Sequence, residues 1–508
     1  MVEQELVSGS RFFVLVSVLC CTWRLSMGGD SLSPTQFGRK SFPSDFVFGL
    51  GSAPYQYEGA AKEDGRGISI WDTFSHTPGK IVDGSNGDVA NDQYHRYKED
   101  IKLLVDLGVK SYRFSIAYAQ VQGRGIINTK GIVHYNNLID ELLKNGIEPL
   151  VTIFHWDLSQ VLQDEYGGFL SEKIVKDFVA YADTCFEAFG DRVKKWVTIN
   201  EPLSIVLQGY NTGNYVPGRC SKSIGNCTEG DSATEPYIVA HNFLLSHAAA
   251  VKLYRDKYHK KQKGSIGISL ITPWFIPYTN SLSDQKATRR ILDFYFGWFM
   301  DPITSGDYPT TMRSYVGTRL PHFTLQQSKL LKGSFDFVGI NYYTAYYALN
   351  NNATPNAMPT DFTADYRVNF TPVKNGVLIG AQAGSSWLYM YPRGMRALLN
   401  FIKVRYGNPP IYITENGADE KNNASKPLKE SLNDTWRIES TSKHLLNLFL
   451  ALRDGYNVLG YYGWTFPDDF EWDSGYSLRF GFYFVDRLHN FTRYPKASAH
   501  WLKDFLHH

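Results

Sequence analysis

Two stretches of the chain share one form, an apolar, β-branched run that stops at an acid. One is Pro410-Ile411-Tyr412-Ile413-Thr414-Glu415-Asn416-Gly417. The other is Lys195-Trp196-Val197-Thr198-Ile199-Asn200-Glu201-Pro202. Each reads as a buried strand delivering a carboxylate at its carboxyl end, with a turn residue just behind it. Burying an ionised acid is costly, so such a placement calls for a reason. Taken singly, Glu201 or Glu415 could be an ion-pair partner of Arg113 or Lys195. As a matched pair they can divide acid, base and nucleophile work across one pocket.

Other chemistries find less support. His155 has no second histidine at a ligating spacing and the chain has no His-Glu-x-x-His helix, so neither a metal nor a cofactor is expected. No Gly-x-Ser-x-Gly elbow is present for a serine nucleophile. His155, set beside Trp156 at a strand end, reads as a hydrogen-bonding wall. Trp464-Thr465-Phe466-Pro467-Asp468-Asp469-Phe470-Glu471-Trp472 is dense in aromatics and acids. There Glu471 can take two sugar hydroxyls while Trp464 and Trp472 stack on the apolar face of a ring. With two carboxylates nearby, glycoside hydrolysis is the reaction these groups suit. A gap of about 5–5.5 Å between the carboxyls would go with retention through a covalent intermediate.

The elements that must carry these groups alternate. Strand-like runs lie at Phe46–Gln56, Ser111–Ile116, Pro149–Phe154, Lys195–Asn200, Ser265–Leu270, Phe335–Tyr343, Pro410–Glu415 and Asn457–Phe466. Helical patterns fall between them, for example at Tyr94–Leu107, Tyr135–Asn145, Glu172–Phe189, Pro236–Tyr258 and Thr441–Asp454. Alternating strand and helix predicts βα units on a parallel sheet. Eight of them predict a single (β/α)8 barrel with long inserted loops, of the α/β class, over residues 30–508. A doubly wound open sheet is disfavoured because no glycine-rich phosphate turn follows the first strand. In a barrel the chemistry gathers at the carboxyl ends of the strands. The strands here end in Gln56, Arg113, His155-Trp156, Asn200-Glu201, Asn341 with Tyr343, Glu415-Asn416 and Trp464, which together line one pocket.

The bulk composition fits a globular enzyme. Of 508 residues, 43% are hydrophobic, enough for a large core, and 52 basic residues nearly balance 50 acidic ones. No basic footprint points to nucleic acid. Residues 1–29 read as a signal peptide, with an apolar core at Phe12–Cys21 too short to span a membrane. No other window is apolar enough to span one, so a secreted or vacuolar, non-membrane protein is expected. Cys185 lies in a helical apolar pattern and reads as a core thiol. Cys220 and Cys227, seven apart, are candidates for one small-loop disulfide. Glycosylation sequons begin at Asn226, Asn352, Asn369, Asn423, Asn433 and Asn490. Monomer and homodimer both remain open.

Thr198-Ile199-Asn200-Glu201-Pro202 and Ile413-Thr414-Glu415-Asn416-Gly417 resemble the two signature motifs of glycoside hydrolase family 1, the plant-type β-glucosidases. The resemblance spans about residues 42–505. It includes Tyr55-Gln56-Tyr57-Glu58-Gly59-Ala60, Tyr112-Arg113-Phe114-Ser115-Ile116, His155-Trp156-Asp157-Leu158, Asn341-Tyr342-Tyr343 and Phe470-Glu471-Trp472. It implies Glu201 as acid/base and Glu415 as nucleophile. Gln56, His155, Trp156, Asn200, Glu471 and Trp472 would bind the sugar, with Trp464 beneath the ring. Arg113, Asn341 and Tyr343 would hold the nucleophile, and Trp387 would wall the aglycone site. A Gln replaces the acid/base Glu in plant thioglucosidases of the family, so Glu201 implies an O-glucosidase, its partner a small-molecule β-D-glucoside with a plant-metabolite or oligosaccharide aglycone. Transfer of glucose to another acceptor, and a weak or inactive binding barrel, are the alternatives. The chain departs from the family pattern at Ala117–Gly123, at Ser159 and at Phe466–Asp469.

Overall fold

The strands of the barrel are mostly apolar and almost wholly buried, as parallel strands under a helical jacket require. The strands are β1 (Val47–Gly51), β2 (Ser111–Ser115), β3 (Glu148–Phe154), β4 (Lys195–Asn200), β5 (Ser265–Ile271), β6 (Phe337–Asn341), β7 (Ile411–Asn416) and β8 (Val458–Gly463). They pair in parallel and in sequence order, and β8 closes on β1. The α/β barrel expected from the alternation is therefore the fold. The computed structural model describes residues 37–121, 125–351 and 360–508, without the side chain of Gln120. The segment read as a signal peptide and the sequon at Asn352 lie outside the described residues.

The jacket consists of α1 (Gln93–Leu107), α2 (Thr129–Lys144), α3 (Lys173–Phe189), α4 (Glu235–Leu253), α5 (Leu282–Leu292), α6 (Pro392–Tyr406), α7 (Thr435–Arg453) and α8 (Ala497–His507). On α3 the buried residues Ile174, Phe178, Tyr181, Ala182, Cys185, Phe186 and Phe189 fall at helical spacing. Each large apolar side chain in such a stripe contributes about 1.5–3 kcal/mol of burial. Cys185 belongs to this stripe, and burial pushes its thiol up. At the start of α2 the Asn128 side chain accepts from the Lys130 N–H, so the helix begins a turn before the expected Tyr135. The floor of the barrel is plugged by Leu150, Val197, Phe337, Tyr412 and Tyr462.

Three boundaries differ from expectation in ways that matter for the site. β1 stops at Gly51, and Pro54 opens a helical turn at Pro54–Tyr57, so Gln56 sits on that turn and not on a strand. β6 ends at Asn341, leaving Tyr343 beyond the strand. Arg113 lies in the middle of β2. The insertions carry their own order. Trp274–Pro277, Ala345–Asn350 and Val368–Thr371 form a three-stranded sheet. Cys220 and Cys227 are bonded, with Cα atoms 5.5 Å apart.

Candidate active site

β4 and β7 each carry an irregularity immediately before their acid. On β4 the Thr198 hydroxyl meets His247 of α4, outside the barrel, at 2.7 Å. Two residues on, strict alternation would turn Asn200 to the same outer face. Instead Val197 pairs with Gly267 and Asn200 with Ser269, three residues against two. The extra residue swings Asn200 inward, where its Oδ1 accepts from Arg113 Nη2 at 2.6 Å. On β7, Tyr412 points into the barrel floor and Thr414 bonds Asn341. Glu415, its immediate neighbour, also faces inward, because Ile413 and Glu415 pair with consecutive residues of β6. Glu201 follows β4 in a left-handed conformation (φ 42°, ψ 62°) that a non-glycine residue adopts at a cost of about 1–3 kcal/mol.

The acids are bound to one continuous network. Arg113 Nη1 donates to Glu415 Oε1 at 2.6 Å, and the Tyr343 hydroxyl donates to Oε2 at 2.7 Å. Arg113 is wholly buried. A buried ion pair is weak evidence of stabilisation, because desolvation offsets most of the attraction, so its value here is to keep one carboxylate oriented. Asn341 Nδ2 donates to Glu201 Oε1 at 2.6 Å and to Asn200 Oδ1 at 3.1 Å. The Ser204 hydroxyl donates to Glu201 Oε2 at 2.7 Å. Asn200 Nδ2 donates to His155 Nε2 at 3.0 Å, and Trp156 Nε1 donates to the Asn200 carbonyl at 2.8 Å. β4 and β7 are separated by β5 and β6, so the acids meet across an arc of the mouth and not across its full diameter.

Burial, then the charge of Glu415, raises the Glu201 carboxyl to about 8, against which the Asn341 and Ser204 hydrogen bonds act only partly. Glu201 therefore keeps its proton at neutral pH. The Tyr343 hydroxyl is pushed well up by burial and by Glu415, so it stays a donor. Burial, then the charge of Arg113, drives His155 well below the ordinary imidazole range. Neutral His155 accepts on Nε2 and so carries its proton on Nδ1, which is buried without a partner. That orphan donor suits a ligand hydroxyl.

A cavity of about 470 Å³ opens over the two acids. His155, Trp156, Glu201, Tyr343, Trp387, Glu415, Trp464, Glu471 and Trp472 line it, as their sequence positions predict. Trp156 and Trp472 stand 4.5 Å apart between ring centroids, and His155 lies 5.8 Å from both Trp464 and Trp472. Trp387 is 41% exposed at the mouth. Gln56, Arg113, Asn200 and Asn341 are fully buried and support the cavity from behind its lining. A second cavity of about 220 Å³ adjoins the first, sharing Ser204, Gln208, Ile271, Tyr343 and Trp387. Leu203, Leu207, Tyr346 and Phe370 make its walls apolar. Sequence reasoning missed Ser204 and Thr414. Ser204 stands three residues after Glu201 on the helix Pro202–Tyr210, a spacing that brings it back over the acid.

Comparison with known proteins gives the family. The sequence signature of Glycosyl hydrolase family 1 matches residues 38–508. Beta-glucosidase 12 of Oryza sativa subsp. indica is 53% identical over 500 residues, covering 97% of each chain. A rice β-glucosidase mutant, solved in a covalent complex with Glc from GA4GE, superposes with a TM-score of 0.91 at 52% identity, covering 92% of this chain and 99% of that one. A β-glucosidase from the fungus Humicola insolens in complex with glucose gives 0.88 at 43% identity, covering 92% of this chain and 98% of that one. The chain belongs to glycosyl hydrolase family 1. Within it the chain is a β-glucosidase of the plant type and hydrolyses β-glucosides.

Proposed function

We propose that the protein is a retaining O-β-glucosidase in which Glu415 is the nucleophile and Glu201 the acid/base. The observation that carries this is the opposite treatment of the two acids. Glu415 has one oxygen on Arg113 and the other on Tyr343, while Glu201 is raised to about 8 and holds a proton. A Glu415 oxygen attacks the anomeric carbon as the bond to the aglycone oxygen breaks, and that oxygen takes the Glu201 proton. Esterified Glu415 carries no charge, so the second-largest cause of the raised Glu201 pKa disappears. Glu201, now a carboxylate, takes a proton from water, whose oxygen attacks the anomeric carbon and releases Glu415. The rice relative with covalently bound Glc supports such an intermediate.

His155 Nδ1, Asn200 and Glu471 would hold the sugar hydroxyls, and Trp464 and Trp472 its apolar face. An apolar small-molecule aglycone fits against Trp387 and the walls of the second cavity. Glucose transfer to an alcohol differs only in the acceptor that replaces water, and product analysis with added acceptor separates the two. The Cys220–Cys227 bond and the exposure of sequon residues Asn226, Asn369, Asn423, Asn433 and Asn490 support a secretory route after removal of residues 1–29.

The test is trapping with a 2-deoxy-2-fluoro-β-glucoside that carries a good leaving group. One fluoroglucosyl group should be recovered, on the peptide containing Glu415. Label on another residue, or turnover that continues without label, removes Glu415 from the role.

A further inference from the structure

Beneath Glu471 lies a polar cluster that the two acids above do not use. Gln56 Nε2 donates to two carboxyls at once, to Asp469 Oδ2 at 3.0 Å and to Glu471 Oε2 at 3.2 Å. Gln56 and Asp469 are fully buried. Among the described residues Gln56 Oε1 has no partner, and neither has Asp469 Oδ1. Two carboxyls two residues apart, bridged by one neutral amide out of solvent, do not both ionise near neutral pH.

The surroundings do not support a second anion. Asp468, the next acid along, is already matched by Lys496 Nζ at 2.9 Å and by Arg479 Nη1. Arg487 Nη2 reaches the backbone carbonyls of Asp468 and Asp469 at 3.4 and 3.1 Å, and its guanidinium lies 3.9 Å over the Tyr476 ring. It does not pair with the Asp469 carboxyl. Tyr57, on the turn that carries Gln56, and Tyr476 face the cluster as neutral phenols. On the other side, Asp419, Asp473 and Glu415 add negative charge around Glu471. Among the described residues no cation stands within ion-pair distance of the Asp469 carboxyl.

We propose that Asp469 is a positioning residue for sugar recognition: it holds the single proton of the Asp469–Glu471 pair and leaves Glu471 the anion of that pair, facing the sugar. Both amide protons of Gln56 are thereby committed to carboxyls, which fixes the Glu471 carboxyl where it faces the cavity. The inference rests on the reading of Glu471 as a sugar anchor. Burial, then the charge of Asp468, raises the Asp469 carboxyl well above its ordinary range, and burial with the charge of Asp469 does the same to Glu471. Loss of the shared proton at alkaline pH sets two anions on one amide. The carboxyls then separate, Gln56 is released and the sugar is held less tightly.

The test measures the dissociation constant of a neutral aryl β-D-thioglucoside from about pH 5 to about pH 9. Enzyme carrying Glu201→Gln, which removes one titrating acid facing the ligand, is compared with the same enzyme carrying Asp469→Asn as well; Asp473, which also lines the cavity and is raised to about 6 by burial, titrates alike in both. The parent should lose affinity about tenfold per pH unit above the pair's titration. With Asp469→Asn, isosteric and unable to titrate, that alkaline tenfold-per-unit loss should be absent. Equal pH dependence in both proteins, or a flat parent, overturns the proposal. A ligand that binds neither protein at any pH overturns the sugar-anchor reading beneath it. If Asp469→Asn does not fold, Asp469→Ser, smaller and equally untitratable, gives the same comparison.

Discussion

Asn341 Nδ2 lies 2.6 Å from Glu201 Oε1. The orientation of that amide is set on a third strand, where the Thr414 hydroxyl donates to Asn341 Oδ1 at 2.6 Å. Thr414 precedes Glu415, so β7 sets one acid directly and the other through β6. The bond from Asn341 favours the ionised form of Glu201. Asn341→Ala should therefore raise the Glu201 pKa and move the alkaline limb of kcat/KM to higher pH. It should also lower kcat/KM by about tenfold to a hundredfold through lost orientation. A pH–rate profile of an aryl β-glucoside checks both, and an unmoved or lowered limb contradicts the sign.

In the proposed mechanism Glu201 is protonated in the free enzyme, so activity should be retained below its raised value of about 8 and lost as pH climbs through it. Glu201→Gln cannot donate a proton. For substrates with poor leaving groups kcat/KM should fall by about 10²–10⁴, and the alkaline limb should vanish. An activated aryl glucoside, which needs little help in leaving, should lose far less in its first step. Added azide should restore turnover by replacing the water that Glu201 no longer activates, and its product should be the β-glucosyl azide. An α-azide, or equal losses for good and poor leaving groups, would remove Glu201 from the acid/base role.

Most of the barrel and the lining of its mouth could be read from residue order alone. Most of the strand runs are strongly apolar and end in a group able to do chemistry, which makes Glu201, Glu415, His155 and Trp464 legible, while Glu471 is legible from the aromatic and acidic loop after β8. The extra residues in β4 and β7 were not. A period-two pattern cannot register an insertion of one, so Asn200 would be placed on the wrong face by alternation. Gln56 was assigned to a strand because the pattern through Phe46–Gln56 outweighed the helix-start signal at Pro54. Thr414 and Asp469 act through other side chains, Asn341 and Gln56, and no local spacing announces such a partner.

The Cys220–Cys227 bond closes a short loop, so its stabilising effect is limited. Chain entropy assigns about 2–3 kcal/mol to a loop of this size. The segment is also held without it, because the Ser232 hydroxyl donates to the Asn211 carbonyl at 2.7 Å and Asn211 Oδ1 accepts from the Phe362 N–H at 3.1 Å. Cys220→Ser with Cys227→Ser should lower Tm by only a few degrees and leave kcat unchanged. Calorimetry alongside an activity assay checks this, and loss of folded protein would show that the loop depends on the bond.

Trp387 offers a way to separate the two ends of the substrate. Its ring stands 5.8 Å from that of Tyr343, nearly perpendicular, and lines both cavities. Its carbonyl accepts the Tyr346 hydroxyl, so the strap stays anchored when the side chain is cut back. Trp387→Ala should then remove an apolar wall without moving Glu415 or Glu471. KM for a glucoside with a bulky apolar aglycone should rise by about tenfold, the value of one lost aromatic contact of about 1.4 kcal/mol. Inhibition by glucose, which lacks an aglycone, should not change. If glucose inhibition weakens as much as KM rises, the ring acts on the sugar or on Tyr343, and the aglycone wall must be sought among Leu203, Leu207 and Phe370 of the second cavity.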